Sequence, residues 1–136
     1  MQTTSALVLT ALIAWTLFLV VLMEGLRARF LVTKTIAANA FRPDNSNLPP
    51  YMQRLARAHA NCVESFPIIG GLLVVALLTH QAGVTDGLAP WLLAARLIQS
   101  SIHVVSTSVL ASYLRFVAFV AQMAIAVYWL CLLLAR

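Results

Sequence analysis

Apolar and polar positions along the chain separate into long blocks. Uncharged stretches cover residues 1–23, 65–85, 97–114 and 116–135, each close to the ~20 residues an α-helix needs to cross ~30 Å of hydrocarbon. The blocks are continuously apolar and do not alternate, which excludes strands, because an open sheet edge cannot lie unpaired in lipid. The pattern predicts an all-α, four-helix membrane bundle forming a single domain over residues 1–136. The first span covers residues 5–27, and good helix formers without Pro or Gly extend its helicity to about residue 38. Residues 42–50, RPDNSNLPP, are turn chemistry. Pro49 and Pro50 then suit the first turn of a second helix, with Ser46 or Asn47 as its cap. Pro67 is expected to kink that helix, and Gly70 with Gly71 to admit a close neighbour. The third span is predicted over residues 88–112 and the fourth over 116–135.

Composition turns this pattern into a statement about environment. With 62% apolar and 10% charged residues and a mean hydropathy of +0.91, the chain lies far outside the soluble range and reads as an integral membrane protein. Its first apolar run has no Lys or Arg ahead of it and exceeds a signal-peptide core, so it reads as a retained helix. The formal charge of +5 is localised: Arg27, Arg29, Lys34, Arg42, Arg54 and Arg57 stand against Glu24 and Asp44, while the next loop carries only Asp86. This asymmetry puts the first loop in the cytoplasm and both termini outside, and it argues for membrane lipid rather than nucleic acid as the partner. Trp15 and Phe18 read as lipid or helix contacts, and Tyr128 and Trp129 as an interfacial belt. Cys62 and Cys131 fall near opposite ends of the membrane, too far apart to pair, and read as free thiols packed as small apolar groups.

Candidate chemistry gathers in residues 54–67, RLARAHANCVESFP. At helical spacing Arg54, Arg57, Asn61 and Glu64 share one face, and ionisable groups entering a membrane span mark a functional site. A second polar stripe, Arg96, Gln99, Ser100, His103 and Thr107, runs along the third span. For its hydroxyls, interhelical hydrogen bonding is a sufficient explanation. Arg96 needs a partner on another helix, and Glu64, the one acid within the spans, is the expected counter-charge. Arg115 returns a cation to the level of Arg54 and Arg57. Glu24, Arg27 and Arg29 pair locally, or Arg27, Arg29 and Lys34 turn inward as anion ligands. The set suits a small polyanionic ligand entering beside an apolar, lipid-facing one. His59, His80 and His103 have no metal-ligand spacing, so no metal site is expected.

The run Arg54, Arg57, Ala58, His59, Asn61, Glu64, Pro67 resembles the second-helix signature of the MAPEG family, the membrane-associated proteins of eicosanoid and glutathione metabolism. The likeness extends loosely over the whole chain through Asn39, Pro43-Asp44, Arg96 and Arg115, and is closest to bacterial members. It implies a homotrimer in the bacterial cytoplasmic membrane, with glutathione bound between protomers near the cytoplasmic side. It further implies that Asn61 and Glu64 contact glutathione, with Arg54, His103 and Lys34 as further ligand candidates. Arg115 would be the catalytic residue that stabilises the thiolate, while Arg57, His59 and Arg96 would brace helices. The chain departs from the enzymatic members where His103 stands for a tyrosine and Phe116 for a hydroxyl. Ala60 stands where some prostaglandin-synthesising members have Arg.

Two functions compete. The first is a glutathione or other low-molecular-weight-thiol transferase or peroxidase acting on lipophilic electrophiles. The alternative is a non-catalytic lipid-binding or scaffold protein of the same fold, favoured by the His103 and Phe116 departures. A transporter would need a polar path across the whole membrane, which one striped helix does not supply.

Overall fold

A computed structural model describes residues 3–135. Its elements are α1 (Thr4–Val32), a short 3-10 turn (Ala38–Ala40), α2 (Pro50–Leu78), the single-turn α3 (Ala82–Thr85), α4 (Ala89–Val105) and α5 (Val109–Leu134). There is no strand among the described residues. α1, α2 and α5 are long and apolar enough to cross a membrane; α4, with 17 residues, spans only ~26 Å at the standard rise. Large side chains such as Leu7, Leu17, Val21, Ile68, Val117 and Leu130 are exposed. A soluble monomer would bury a band of that size, and lipid accommodates it. The chain is an integral membrane protein.

Helix ends follow local chemistry that hydropathy does not report. α1 stops at Val32 rather than near residue 38, because Lys34 takes a left-handed conformation (φ 54). The Lys34 and Thr35 N–H groups then bond back to the Leu31 and Phe30 carbonyls at 2.9 and 3.0 Å, a Schellman closure. His80 (φ 57) closes α2 in the same way through Leu77 and Ala76. α2 begins at Pro50 as expected, but Pro49 occupies the cap position without a side-chain bond. Asn47 instead donates to the Ala40 carbonyl. The Ser46 N–H donates to Asp44 Oδ1 at 3.0 Å, which holds that carboxyl below its usual range. The largest departure is in residues 106–108. Ser106 is extended, and the Ser108 hydroxyl caps a new helix by accepting the Ala111 N–H. The fourth apolar helix therefore starts at Val109, one to two turns before the predicted residue 116, and Arg115 belongs to its second turn.

α1, α2, α4 and α5 pack on one another around two apolar cores stacked along the helix axes. One holds Val8, Leu12, Ile69, Leu73, Leu92 and Trp129; the other, at the basic end, holds Leu19, Met23, Met52, Leu55 and Cys62. Trp129 is thus a core residue with 0% exposure rather than part of a belt, because it follows Gln122 and Ala126 along the inward stripe of α5. Gly70 lies against the Phe66 ring one turn back, 3.0 Å from where a Cβ would stand. It therefore seats an aromatic of its own helix rather than a neighbouring one. Cys62 is buried and Cys131 exposed, both as free thiols.

Polar clamps fix the two ends. At the basic end Arg27 donates to Glu24 Oε1 at 2.7 Å, to Asn45 Oδ1 and to the Arg42 carbonyl. Asn45, fully buried and left-handed at φ 56, passes the tie to the Met52 carbonyl. At the opposite end Asp86 Oδ1 accepts both the backbone N–H and the hydroxyl of Ser5, at 2.7 and 2.6 Å.

Candidate functional site

α2, at 29 residues, is ~43 Å long and exceeds the ~30 Å hydrocarbon by about two turns. Its basic first turns therefore project beyond the apolar layer, while Asn61 and Glu64 lie deeper. Where this face meets α4 and α5, an open cavity of about 560 Å³ forms. α2 supplies Arg57, Ala60, Asn61 and Glu64 to its wall, α4 supplies Gln99 and His103, and α5 supplies Ser112, Arg115, Phe116 and Phe119. Two guanidiniums thus face one carboxylate, beside two phenyl rings. Such a lining suits an anionic ligand that also carries an ammonium or another donor, placed against an apolar partner. Arg115 Nη2 donates to Ser112 Oγ at 2.9 Å, and its buried Nε has no protein partner.

Behind the cavity a polar layer separates the two apolar cores. Arg96, 3% exposed, directs Nη1 at Asn61 Oδ1 (2.8 Å) and more weakly at the Asn61 carbonyl (3.4 Å). The expected ion pair between Arg96 and Glu64 does not form; among the described residues the ion pair within 4 Å is Arg27–Glu24. Asn61, one turn before Glu64, faces α4, and Glu64 is turned out into the cavity. Ser100 accepts the Trp15 indole N–H at 2.8 Å and donates to the Arg96 carbonyl, tying α1 to α4. Gln122, fully buried, donates from Nε2 to Gln99 Oε1 and to the Ala118 carbonyl, each at 2.9 Å.

Of the residues singled out from the sequence, Arg57, Asn61, Glu64, His103 and Arg115 meet at this cavity. Arg57 lines it, where a bracing role was expected. Arg54 is drawn one turn away, its Nε donating to the Val104 carbonyl at 2.8 Å. That carbonyl is free because α4 ends at Val105, so a cation there satisfies an orphan acceptor. Lys34 sits past the end of α1, outside the cavity lining. His59 lies on another face of α2, in an apolar groove of about 280 Å³ with Ile13, Thr16, Leu17, Val20 and Phe66. Gln99, Ser112 and Phe119 join the site without having been named as ligand candidates. Gln99 stood in the polar stripe of the third span, and a lone Gln at position 122 in an otherwise apolar helix was the available signal for their pairing. Among the described residues no three His, Cys, Asp or Glu side chains are grouped to hold a metal ion.

Comparison with curated proteins and with solved structures gave no match. A family model does match, and it covers residues 5–135, from the serine clamped by Asp86 to the end of α5. Apart from Thr4 at the start of α1, the packed helices fall within that match, as does every cavity residue. The chain belongs to the MAPEG family.

Proposed function

We propose that the protein is a membrane transferase or peroxidase that uses glutathione, or another low-molecular-weight thiol, against lipophilic electrophiles. The observation that carries this reading is the meeting of Arg57, Arg115, His103, Asn61 and Glu64 in one cavity with Phe116 and Phe119 on its wall. In transfer to an aryl halide, the thiol proton passes to solvent, the thiolate sulfur bonds to carbon, and halide leaves. In peroxide reduction, two thiols give a disulfide while the peroxide is reduced to alcohol and water. In both, Arg115 holds the sulfur as thiolate, because a guanidinium beside a thiol favours its ionised form.

The same reading takes α4 as a fourth span, at the lower edge of membrane-spanning length, with the basic end cytoplasmic and both termini outside. It takes the assembly as a homotrimer in the bacterial cytoplasmic membrane. In that assembly Lys34, absent from the cavity lining of one copy, would approach the ligand from a neighbour, and Arg54 would sit at the rim. Arg115→Ala should reduce conjugation of glutathione to an aryl halide at least ~100-fold, the scale of losing one preorganised charge-stabilising donor, while the trimer survives by native mass spectrometry. Retained turnover would remove Arg115 from its assigned role.

One observation favours a non-catalytic lipid-binding protein: Phe116, on the cavity wall, is 63% exposed, an apolar surface that a lipid chain could cover. Thermal stabilisation by lipid with none by millimolar glutathione would support that alternative.

A further inference from the structure

Asn61 and Gln99 both line the cavity, and each has its carboxamide oxygen occupied by a residue outside that lining. Arg96 Nη1 takes Asn61 Oδ1 at 2.8 Å, and Gln122 Nε2 takes Gln99 Oε1 at 2.9 Å. A carboxamide carries one carbonyl acceptor and one NH2 donor, pointing in opposite directions. Neither Asn61 Nδ2 nor Gln99 Nε2 has a protein acceptor among the described residues. Both NH2 groups are therefore left for the cavity.

The orientations are enforced. Arg96 has only N–H groups and cannot accept, so an Asn61 flip would set donor against donor. Gln122 could accept only by flipping its own amide, and that would turn its oxygen onto the Ala118 carbonyl, which its Nε2 now satisfies at 2.9 Å. Two buried residues on two different helices thus impose the same polarity on two amides.

We infer that Arg96 and Gln122 are positioning residues that hold Asn61 and Gln99 as a pair of neutral N–H donors, making this part of the wall a seat for a ligand carboxylate. The inference rests on the thiol-ligand reading only for the identity of the molecule that brings the carboxylate. The seat requires an acceptor whichever molecule carries it. Neutral donors suit it because they fix direction without adding to the charge of Arg57 and Arg115, and a cationic group finds only Glu64 nearby.

Isosteric substitutions test the polarity. Asn61→Asp keeps an oxygen for Arg96 and Gln99→Glu keeps one for Gln122, but each turns the cavity-facing NH2 into oxygen. Gln122→Met removes the clamp on Gln99 without touching the cavity. The readouts are glutathione binding by calorimetry, the thermal midpoint, and the side-chain NH2 resonances of 15N-labelled full-length protein in detergent. The expected result is a rise in the glutathione Kd of about tenfold or more for each isosteric variant, since a charge-assisted hydrogen bond is replaced by repulsion. Thermal midpoints should stay near wild type. Gln122→Met should weaken binding by a smaller factor and shift the Gln99 NH2 resonance before any ligand is added. Wild-type affinity in both isosteric variants, or affinity that falls only in step with the thermal midpoint, would overturn the inference. If wild-type protein binds no glutathione, glutathione as the thiol is ruled out separately, and acetate and succinate become the probes. Movement of the Asn61 and Gln99 resonances with those carboxylates sustains the seat, and immobile resonances refute it.

Discussion

Arg96 carries a full charge in a layer where ionic partners are scarce, and the structure gives it an amide and a backbone carbonyl instead of a carboxylate. Breaking a buried charge from its partner leaves an uncompensated group, so the energetic coupling should run to Asn61. In a double-mutant cycle, Arg96→Leu and Asn61→Ala should couple by about 1 kcal/mol or more, near the upper range for interhelical bonds in membranes. Arg96→Leu and Glu64→Gln should be additive; coupling there by chemical denaturation would restore the carboxylate as partner. Residue types were legible in the sequence and the pairing was not. Asn61 and Glu64 differ by only ~60° around α2, and helical periodicity alone cannot decide which of them faces α4. Gln122 shows the same limit: its polarity stood out, but its partner Gln99 depends on how α4 and α5 rotate against each other.

At the scale of elements, hydropathy located the apolar helices and misplaced their ends. Residues 97–114 carry no charge, so α4, its break and the first turn of α5 look like one apolar stretch; the break is made by a cluster of hydroxyls at Ser106, Thr107 and Ser108. Ser108 supplies the cap of α5, and Ser108→Ala should cost about 1 kcal/mol in thermal or chemical unfolding. Because Arg115 lies in the second turn of that helix, fraying at its start should also weaken ligand binding, a loss that Ser108→Asp would restore. Lys34 and His80 illustrate why α1 and α2 stop where they do. Both take left-handed conformations normally left to Gly, so no glycine marked those ends. Trp129 was misread for a related reason, since position near a helix end suggested an interface while its rotation about α5 placed it in the core.

For the whole molecule, the all-helical fold and the membrane setting followed from patterns that act over ~20 residues. The cavity did not, because it needs three helices at a fixed rotation. Its wall brings Arg57, Asn61 and Glu64 on α2 together with His103 on α4 and Arg115 on α5. The molecule is tied at both ends, by Arg27 and Asn45 at one and by Asp86 at the other. Asp86→Ala should lower stability by about 1–3 kcal/mol, because it leaves the Ser5 N–H without its acceptor and the Ser5 hydroxyl with Thr85 alone. The thermal midpoint in detergent is the check. Glutathione affinity should not change, since the clamp lies at the end of the bundle away from the cavity.

That clamp also has a bearing on biogenesis. Ser5 leaves the ribosome 81 positions ahead of its acceptor. At roughly 5–20 residues per second that interval is several seconds. During it, the start of α1 is held by the local Thr3 cap on the Ala6 N–H, while the Ser5 N–H and hydroxyl wait for Asp86, so α1 is made well before its clamp. A nascent chain arrested before residue 86 should expose the start of α1 to labelling or proteolysis, and the protection should appear only once Asp86 has been released into the membrane.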